Sequence, residues 1–327
     1  MKFTKTLLAT TLLSFSILGT TQLAYASSAQ EIQFQQGLEA ANKNDFETAL
    51  KLWLPLAEQG NAEAQVNLGF MYENGHGVQQ DYFEAVKWYR KAAEQGNAMA
   101  QHNLGGMYAQ GLGVKQDYFE AVKWFRKAAE QGKVTTQFNL ALMYYEGNGV
   151  QQDYFEAAKW YRKAADQGMA KAQFSLGLMY NNGQGVKQDY VEAAKWYRKA
   201  AEQGEAEAQF KLAVMYEFGW GVKQDYFESA KLYRKAAEQG DVGAQFILAH
   251  MYTYGKGVKQ DYFEAVKWNQ KAAEQGNAGA LAALGIAYRD GKGVKQDRLK
   301  AKEYFGESCE AKSQWGCDLY RRLNSEK

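Results

Sequence analysis

The sequence contains few of the residues on which catalytic and metal sites usually depend. Its 327 residues include three histidines and two cysteines. The histidines share no spacing (His76, His102 and His250), and no group of residues has the spacing of metal ligands. We therefore predict no catalytic residue, no metal site and no cofactor, and we expect that the chain is not an enzyme.

The chain also lacks an excess of charge of either sign. It has 39 lysines and arginines against 37 aspartates and glutamates, a formal net charge of +2. Lys2 and Lys5 are the only charged residues among the first 26, and without them the two counts are equal. Because a phosphate backbone requires a basic surface, we expect no binding to nucleic acid.

Long apolar runs are missing as well. No stretch approaches the roughly 20 apolar residues that a membrane-spanning helix needs. The first 26 residues instead resemble a secretory signal peptide, with Lys2 and Lys5 before an uncharged stretch and the small-x-small sequence Ala24-Tyr25-Ala26 at its end. We expect cleavage after Ala26, no lipid anchor because no cysteine is near, and a soluble periplasmic or secreted protein.

What the sequence has in abundance is repetition. The dipeptide Gln-Gly begins at Gln59 and recurs every 36 residues until Gln275. A fixed period of this length is typical of a solenoid, in which each unit buries its apolar face against its neighbours. Such a fold presents one long surface and indicates a binding scaffold.

Each repeat reads as two helices joined by a glycine loop, as residues 97–132 show. A helical stripe marks the first helix, which we call helix A: Ala100, Leu104, Met107 and Tyr108. Gly111 ends it. Asp117 and Glu120 have the spacing of a capping box at the start of a second helix, helix B, and Gly132 ends that helix.

The repeats share their apolar positions. In each helix A a leucine is followed by glycine or alanine, which predicts close packing of two helices, and by a tyrosine four residues after the leucine. The tryptophans of helix B have the helical spacing of core residues, and we prefer that role to a stacking surface: Trp88, Trp124, Trp160, Trp196 and Trp268.

The period divides the chain into a signal peptide (1–26), an N-terminal capping unit (27–60), seven repeats (61–312) and a C-terminal capping helix (313–327). The repeats cover residues 61–96, 97–132, 133–168, 169–204, 205–240, 241–276 and 277–312. Trp315, Leu319 and Tyr320 are the expected core of the terminal helix. Cys309 and Cys317 flank its start, and in an exported protein this pair favours a disulfide over a reactive dithiol.

The motifs A-x3-L-G-x2-Y (64–72), G-x-G-V-x2-D (75–81) and A-x2-W-Y-x-K-A-A-x-Q-G (85–96) resemble the Sel-one-like repeat (SLR), a branch of the tetratricopeptide superfamily. Residues 30–60 look closer to an ordinary tetratricopeptide unit. The resemblance implies an all-α, right-handed αα-hairpin solenoid with helix A on the concave side. It also implies an adaptor or scaffold role. Exported bacterial members of the family are linked to envelope regulation, to cell-wall enzymes or to contact with a host. A cysteine-rich SLR subfamily has the Cys309–Cys317 spacing in every repeat, which supports the disulfide.

Variation between the repeats suggests where a partner binds. Counted from Asn61 as position 1, the variable positions 3, 7, 10 and 14 form one stripe of helix A. The predicted contacts are polar residues and an aromatic group, since aromatic side chains dominate binding hot spots: Asn67, Asn103, Asn139, Asn182, Phe218, Trp220, His250 and Tyr254. Packing between adjacent loops is the other explanation for Trp220 and Tyr254.

The predicted function is a non-catalytic exported scaffold that binds a protein or peptide, such as a cell-wall enzyme or a host protein. The alternative is a binder of small molecules or peptidoglycan fragments, β-lactam-like compounds included, with weak hydrolase activity. The sequence does not fix the oligomeric state, although we favour a monomer.

Overall fold

The computed structural model describes residues 29–325, which contain seventeen α-helices and no β-strand. The predicted signal peptide lies outside the described residues. Helix α1 covers residues 29–42, and the others are α2 (Phe46–Glu58), α3 (Ala62–Asn74), α4 (Tyr82–Glu94), α5 (Ala98–Gln110), α6 (Tyr118–Glu130), α7 (Val134–Glu146), α8 (Tyr154–Asp166), α9 (Ala170–Asn182), α10 (Tyr190–Glu202), α11 (Ala206–Phe218), α12 (Tyr226–Glu238), α13 (Val242–Tyr254), α14 (Tyr262–Glu274), α15 (Ala278–Asp290), α16 (Arg298–Glu310) and α17 (Gln314–Ser325).

The helices form the αα-hairpins that the period predicts. Helices A are the odd-numbered helices from α3 to α15, and helices B are the even-numbered ones from α4 to α16. The chain divides into two compact units at Asp153 and Tyr154. Within each unit, from α2 onward, a helix packs against the helices before and after it in the chain. Among the described residues no helix has both the length and the apolar character needed to cross a membrane.

The two glycines of each loop have different roles, as the loop after α11 shows. Gly219 ends α11 in the left-handed conformation, with φ of 73°, and its backbone N–H donates to the Met215 carbonyl. Gly221 also has positive φ, 66°. A Cβ atom at Gly221 would overlap the carbonyl oxygen of Tyr190 at the start of α10. The second glycine is therefore required because the loop lies directly against the previous helix B.

The aspartate caps the start of helix B, as predicted. The other half of the predicted capping box, in which the glutamate side chain accepts from the backbone N–H of the aspartate, is wrong. Asp117 Oδ1 accepts a 3.0 Å hydrogen bond from the backbone N–H of Glu120. The backbone N–H of Asp117 donates to the Tyr108 carbonyl oxygen at 2.9 Å, so it is not available to a glutamate side chain. The Glu120 carboxylate forms an ion pair with Lys123 instead, at 3.0 Å.

In four repeats, the glycine after the core leucine lies against an aromatic ring of the following helix B. A Cβ atom at Gly177 would be 2.6 Å from Cδ1 of Tyr197, and one at Gly105 would be equally close to Phe125. The predicted close packing is confirmed, and the ring that requires it is the residue next to the core tryptophan. All five of those tryptophans are buried, as predicted.

The C-terminal helix is held by a disulfide and a small apolar cluster. Cys309 in α16 and Cys317 in α17 are disulfide-bonded, which confirms the predicted pairing. Leu319 and Leu323 pack with Phe305 in this cluster. Trp315, a predicted core residue of this helix, is 48% exposed, so that prediction was wrong. The helix instead buries Leu323, which was not predicted.

Candidate functional site

Phe218 and Trp220 form a stacked pair on the surface of the second unit. Phe218 is the last residue of α11, and Trp220 follows Gly219 in the loop. Their ring centroids are 5.1 Å apart with an angle of 24° between the planes. The two residues are 56% and 46% exposed. The sequence placed both residues in the candidate site, and the structure brings their rings into contact.

His250 and Tyr254 form a second aromatic pair, on α13. Their ring centroids are 4.5 Å apart, and Tyr254 is 66% exposed. Partial burial and the positive charge of Lys256 lower the pKa of His250, whereas Glu217 opposes the shift. The imidazole is therefore predominantly neutral at pH 7, and it is suited to stacking rather than to attracting an anion.

The four aromatic residues of the candidate site thus lie in two pairs. Among the described residues, the ring contacts join Phe218 to Trp220 and His250 to Tyr254, and no ring contact joins one pair to the other. We call the four residues together the aromatic surface.

Part of the Trp220 ring has a packing role. Its centroid lies 6.1 Å from that of Tyr190, the first residue of α10, at an angle of 26°. The equivalent loop residue of the next repeat, Lys256, lies over the ring of Tyr226 at 4.8 Å. Packing on Tyr190 therefore accounts for part of the Trp220 ring, and the residue remains 46% exposed.

The predicted asparagines do not all lie in the same compact unit. Asn67, Asn103 and Asn139 are half-buried on helices A of the first unit, whereas Asn182 is exposed in the second. Asn103 interacts with the hydroxyl of Tyr89. Asn182 accepts a 2.8 Å hydrogen bond from the side chain of Asn181. Of the four asparagines, only Asn182 belongs to the unit that carries the aromatic surface.

Sequence reasoning missed a row of exposed apolar side chains at the second residue of each helix B. Phe227 is 68% exposed and Phe263 76%. The signal was present in the recurring Asp-Tyr-Phe-Glu motif, of which only the capping residues entered the prediction. The members of the row are Phe83, Phe119, Phe155, Val191, Phe227, Phe263 and Leu299.

Sequence reasoning also missed a cavity beside Tyr254. It has a volume of about 260 Å³ and lies among α13, α14 and α15. Asn269 of α14 lines it where other repeats have tyrosine or phenylalanine next to the core tryptophan. The sequence signal was the change from Trp-Tyr-Arg to Trp-Asn-Gln at 268–270.

The regularly spaced carboxylates have structural partners. Asp225 caps α12 through the backbone N–H groups of Phe227 and Glu228, and Glu228 pairs with Lys231 at 3.2 Å. Within residues 29–325 no cluster of three or more histidine, cysteine, aspartate or glutamate side chains could hold a metal ion.

Comparison with known proteins agrees with the helical repeats. The Sel1 repeat model matches residues 34–61, 62–97, 98–133, 135–169, 170–205, 206–241, 242–277 and 278–313. It thus counts eight units. Seven correspond, within two residues, to the predicted repeats, and the first and shorter match, 34–61, overlaps the predicted N-terminal unit.

Two solved structures are similar over nearly the whole chain. A protective antigen present in uropathogenic Escherichia coli strains, described as displaying an SLR fold, is 40% identical, with a TM-score of 0.87 over 94% of this chain and 68% of that one. A Sel1 repeat protein from Oxalobacter formigenes is 35% identical, with a TM-score of 0.70 over 93% and 90% of the two chains.

A shorter similarity links the chain to an uncharacterized protein of Haemophilus influenzae. The two are 58% identical over 26 residues, which is 8% of this chain and half the length of that protein. Sel1 repeat proteins are generally non-catalytic scaffolds that mediate protein–protein interactions. From the eight matched units and the two similar structures, we conclude that the chain belongs to the Sel1 repeat family.

Proposed function

We propose that the chain is a non-catalytic, exported scaffold that binds a protein or peptide through helices A, with the aromatic surface as its main contact. The exposed, stacked Phe218–Trp220 pair carries this proposal. Large aromatic side chains bury much area on binding and lose few rotamers, so they contribute strongly where they meet a partner.

Comparison between repeats supports a binding role for Phe218 and Tyr254. Both occupy the last position of their helix A, which is aromatic only in these two repeats. The other repeats have polar side chains at that position: Asn74, Gln110, Glu146, Asn182 and Asp290. Since those helices end at the same position, the fold does not require an aromatic residue there.

The polar contacts of the proposal are Asn67, Asn103, Asn139 and Asn182. Amide side chains both donate and accept hydrogen bonds, so they suit the main chain of an extended peptide. The asparagines of the first unit are proposed as polar contacts in their own right. A cell-wall enzyme, another envelope protein or a host protein are the partners we propose.

The Cys309–Cys317 disulfide supports the proposed export, because disulfides persist mainly outside the cytosol. The similarity to a protective antigen of E. coli also supports a location outside the cytoplasm. We propose the periplasm or the cell exterior.

The test is cross-linked capture from the native envelope fraction and from host-cell extract. The Phe218/Trp220/Tyr254 triple alanine variant should lose a protein that the wild type retains. The matched control is Phe227/Phe263/Leu299→Ala, which removes three even more exposed apolar side chains from helices B of the same unit. If the Phe218/Trp220/Tyr254 variant still captured the partner and the control variant did not, the proposal would be contradicted. The exposed apolar residues of helices B would then be the contact.

The cavity beside Tyr254 favours a second candidate, a binder of small molecules or peptidoglycan fragments with weak hydrolase activity. Hydrogen exchange distinguishes the two. A protein or peptide should protect several consecutive helices A, whereas a muropeptide or β-lactam should protect one or two repeats only.

A further inference from the structure

The cavity lies where one aromatic ring of the repeat core is replaced by a smaller side chain. Its wall includes Phe246 of α13, Ala265 and Asn269 of α14, and Ile286 of α15. In the preceding repeat, Tyr233 occupies the position of Asn269 and is fully buried. The ring of Tyr233 meets Phe210, the equivalent of Phe246, with centroids 5.5 Å apart.

The same exchange removes a hydrogen-bonded pair. The Tyr233 hydroxyl donates to Glu217 Oε2 at 3.0 Å, and the Tyr89 hydroxyl donates to Glu73 at 2.6 Å. The residue equivalent to Glu217 is Thr253, whose hydroxyl donates to the Ala249 carbonyl of its own helix at 2.9 Å. The repeat at 241–276 thus lacks both the aromatic ring and the carboxylate that its neighbour uses.

The amide of Asn269 is left to face the cavity. Asn269 is only 6% exposed, and it lines the cavity. The amide can both accept from a hydroxyl and donate to one.

The cavity is large enough to hold a single ring. An apolar cavity of about 150 Å³ is sufficient to bind benzene. At about 260 Å³, the cavity has room for a ring with a hydroxyl group and the first carbon of its substituent. Drug-sized ligands generally occupy larger sites, from about 300 Å³ upward.

We propose that this cavity receives a tyrosine side chain of the bound protein or peptide, with its hydroxyl hydrogen-bonded to the Asn269 amide. The assignment to a partner rests on the proposed function, because His250 and Tyr254 belong both to the aromatic surface and to the cavity wall. The incoming ring takes the place that Tyr233 fills in the preceding repeat.

The first test uses p-cresol, the side-chain analogue of tyrosine, titrated into the whole protein and followed by the NMR signals of the Ile286 methyl groups, which line the cavity in the wild type and in every variant. Binding should be saturable. Toluene, which lacks the hydroxyl, should bind about tenfold more weakly. Asn269→Leu should weaken p-cresol about tenfold and leave toluene unchanged, whereas absence of saturable p-cresol binding would overturn the proposal.

A filled-cavity variant provides the matched control. Thr253→Glu/Asn269→Tyr copies the Tyr233–Glu217 pair, so it should fold at least as stably as the wild type and lose p-cresol binding. If this folded variant bound p-cresol as tightly as the wild type, the cavity would not be the site.

The same variant separates this proposal from the proposed function. It should weaken capture of the partner at least tenfold while Phe218 and Trp220 remain in place. If p-cresol binds the wild type but partner capture is unchanged in the filled variant, the assignment to a tyrosine of the partner is wrong. If the cavity variants do not affect capture but the aromatic-surface variant does, the proposed function stands without the cavity.

Discussion

The side-chain amide of Gln239 donates a 2.9 Å hydrogen bond to Oε1 of Gln209. Gln209 is buried in α11 and donates its own amide to the Ala201 carbonyl of α10 at 3.2 Å. The pair therefore joins helix A of one repeat to the helices B on both sides of it. The same pair occurs as Gln95 with Gln65 and as Gln275 with Gln245. This bond explains why glutamine precedes glycine in these repeats.

Gln209→Leu should lower the free energy of unfolding by about 1 kcal/mol, since two hydrogen bonds are lost and the leucine recovers some apolar burial. The last repeat has the same exchange naturally, with Leu281 in place of the buried glutamine and Ala311 in place of its partner. The Gln209→Leu/Gln239→Ala variant should then be more stable than the sum of the two single changes indicates. Urea unfolding measures all three variants, and strictly additive losses would contradict the pairing.

Alanine at two glycines with positive φ should have unequal effects. At Gly204, with φ of 94°, a Cβ atom would meet nothing within 4 Å, so Gly204→Ala should cost only the backbone strain, about 1–2 kcal/mol. Gly221 has φ of 66°, and its Cβ would also overlap the Tyr190 carbonyl oxygen. Gly221→Ala should therefore cost about 1–3 kcal/mol more. Equal losses in thermal or urea unfolding would show that the loop moves away from α10 without cost.

The period and the apolar stripes were sufficient to predict the helical hairpins, because each unit repeats the same local signals. The start of α6 at Tyr118 followed from the N-cap Asp117, and the end of α5 from Gly111. The role of Glu120 was mispredicted because the competing acceptor for the Asp117 N–H, the Tyr108 carbonyl, is part of the tertiary fold.

The candidate site was only partly predictable. Variation within one stripe pointed to Phe218 and Tyr254, which the structure places on the surface. It did not show that Trp220 packs on Tyr190, since that contact joins two repeats. Variation at exposed positions does not reveal Asn269, because there a smaller residue at a core position creates the cavity.

His102 should make the stability of the first unit depend on pH. Burial, and to a lesser extent the charge of Lys133, lower its pKa to about 4. As the pH falls from about 6.5 to about 4, His102 therefore becomes protonated in the unfolded chain but remains neutral in the folded chain. Stability is complete above pH 6.5 and falls through this window, by about 1–2 kcal/mol after allowance for solvent screening.

The matched variant for this prediction is His102→Phe/Thr136→Ala. It copies the Phe210 and Ala244 positions of later repeats and removes the 2.7 Å bond between His102 Nδ1 and Thr136 Oγ1. Urea unfolding at pH 7.5, 6 and 4.5 should show a smaller loss for the variant, because other groups titrate alike in both proteins. Parallel curves for the two proteins would show that His102 does not titrate differently on unfolding.

Reduction of the Cys309–Cys317 disulfide should destabilise the C-terminal helix while the preceding repeats remain folded. The bond closes a short loop between α16 and α17, with a sequence separation of 8, and loops of this size contribute about 2–3 kcal/mol in the chain-entropy model. Without it, α17 is held mainly by Leu319 and Leu323 against Phe305.

In a repeat array, unfolding from an end leaves the inner units in place. Hydrogen exchange of Cys309→Ser/Cys317→Ser should therefore accelerate in 314–325 and remain unchanged in α11 to α13. Acceleration throughout the second unit would instead show that this unit unfolds cooperatively with its terminal helix.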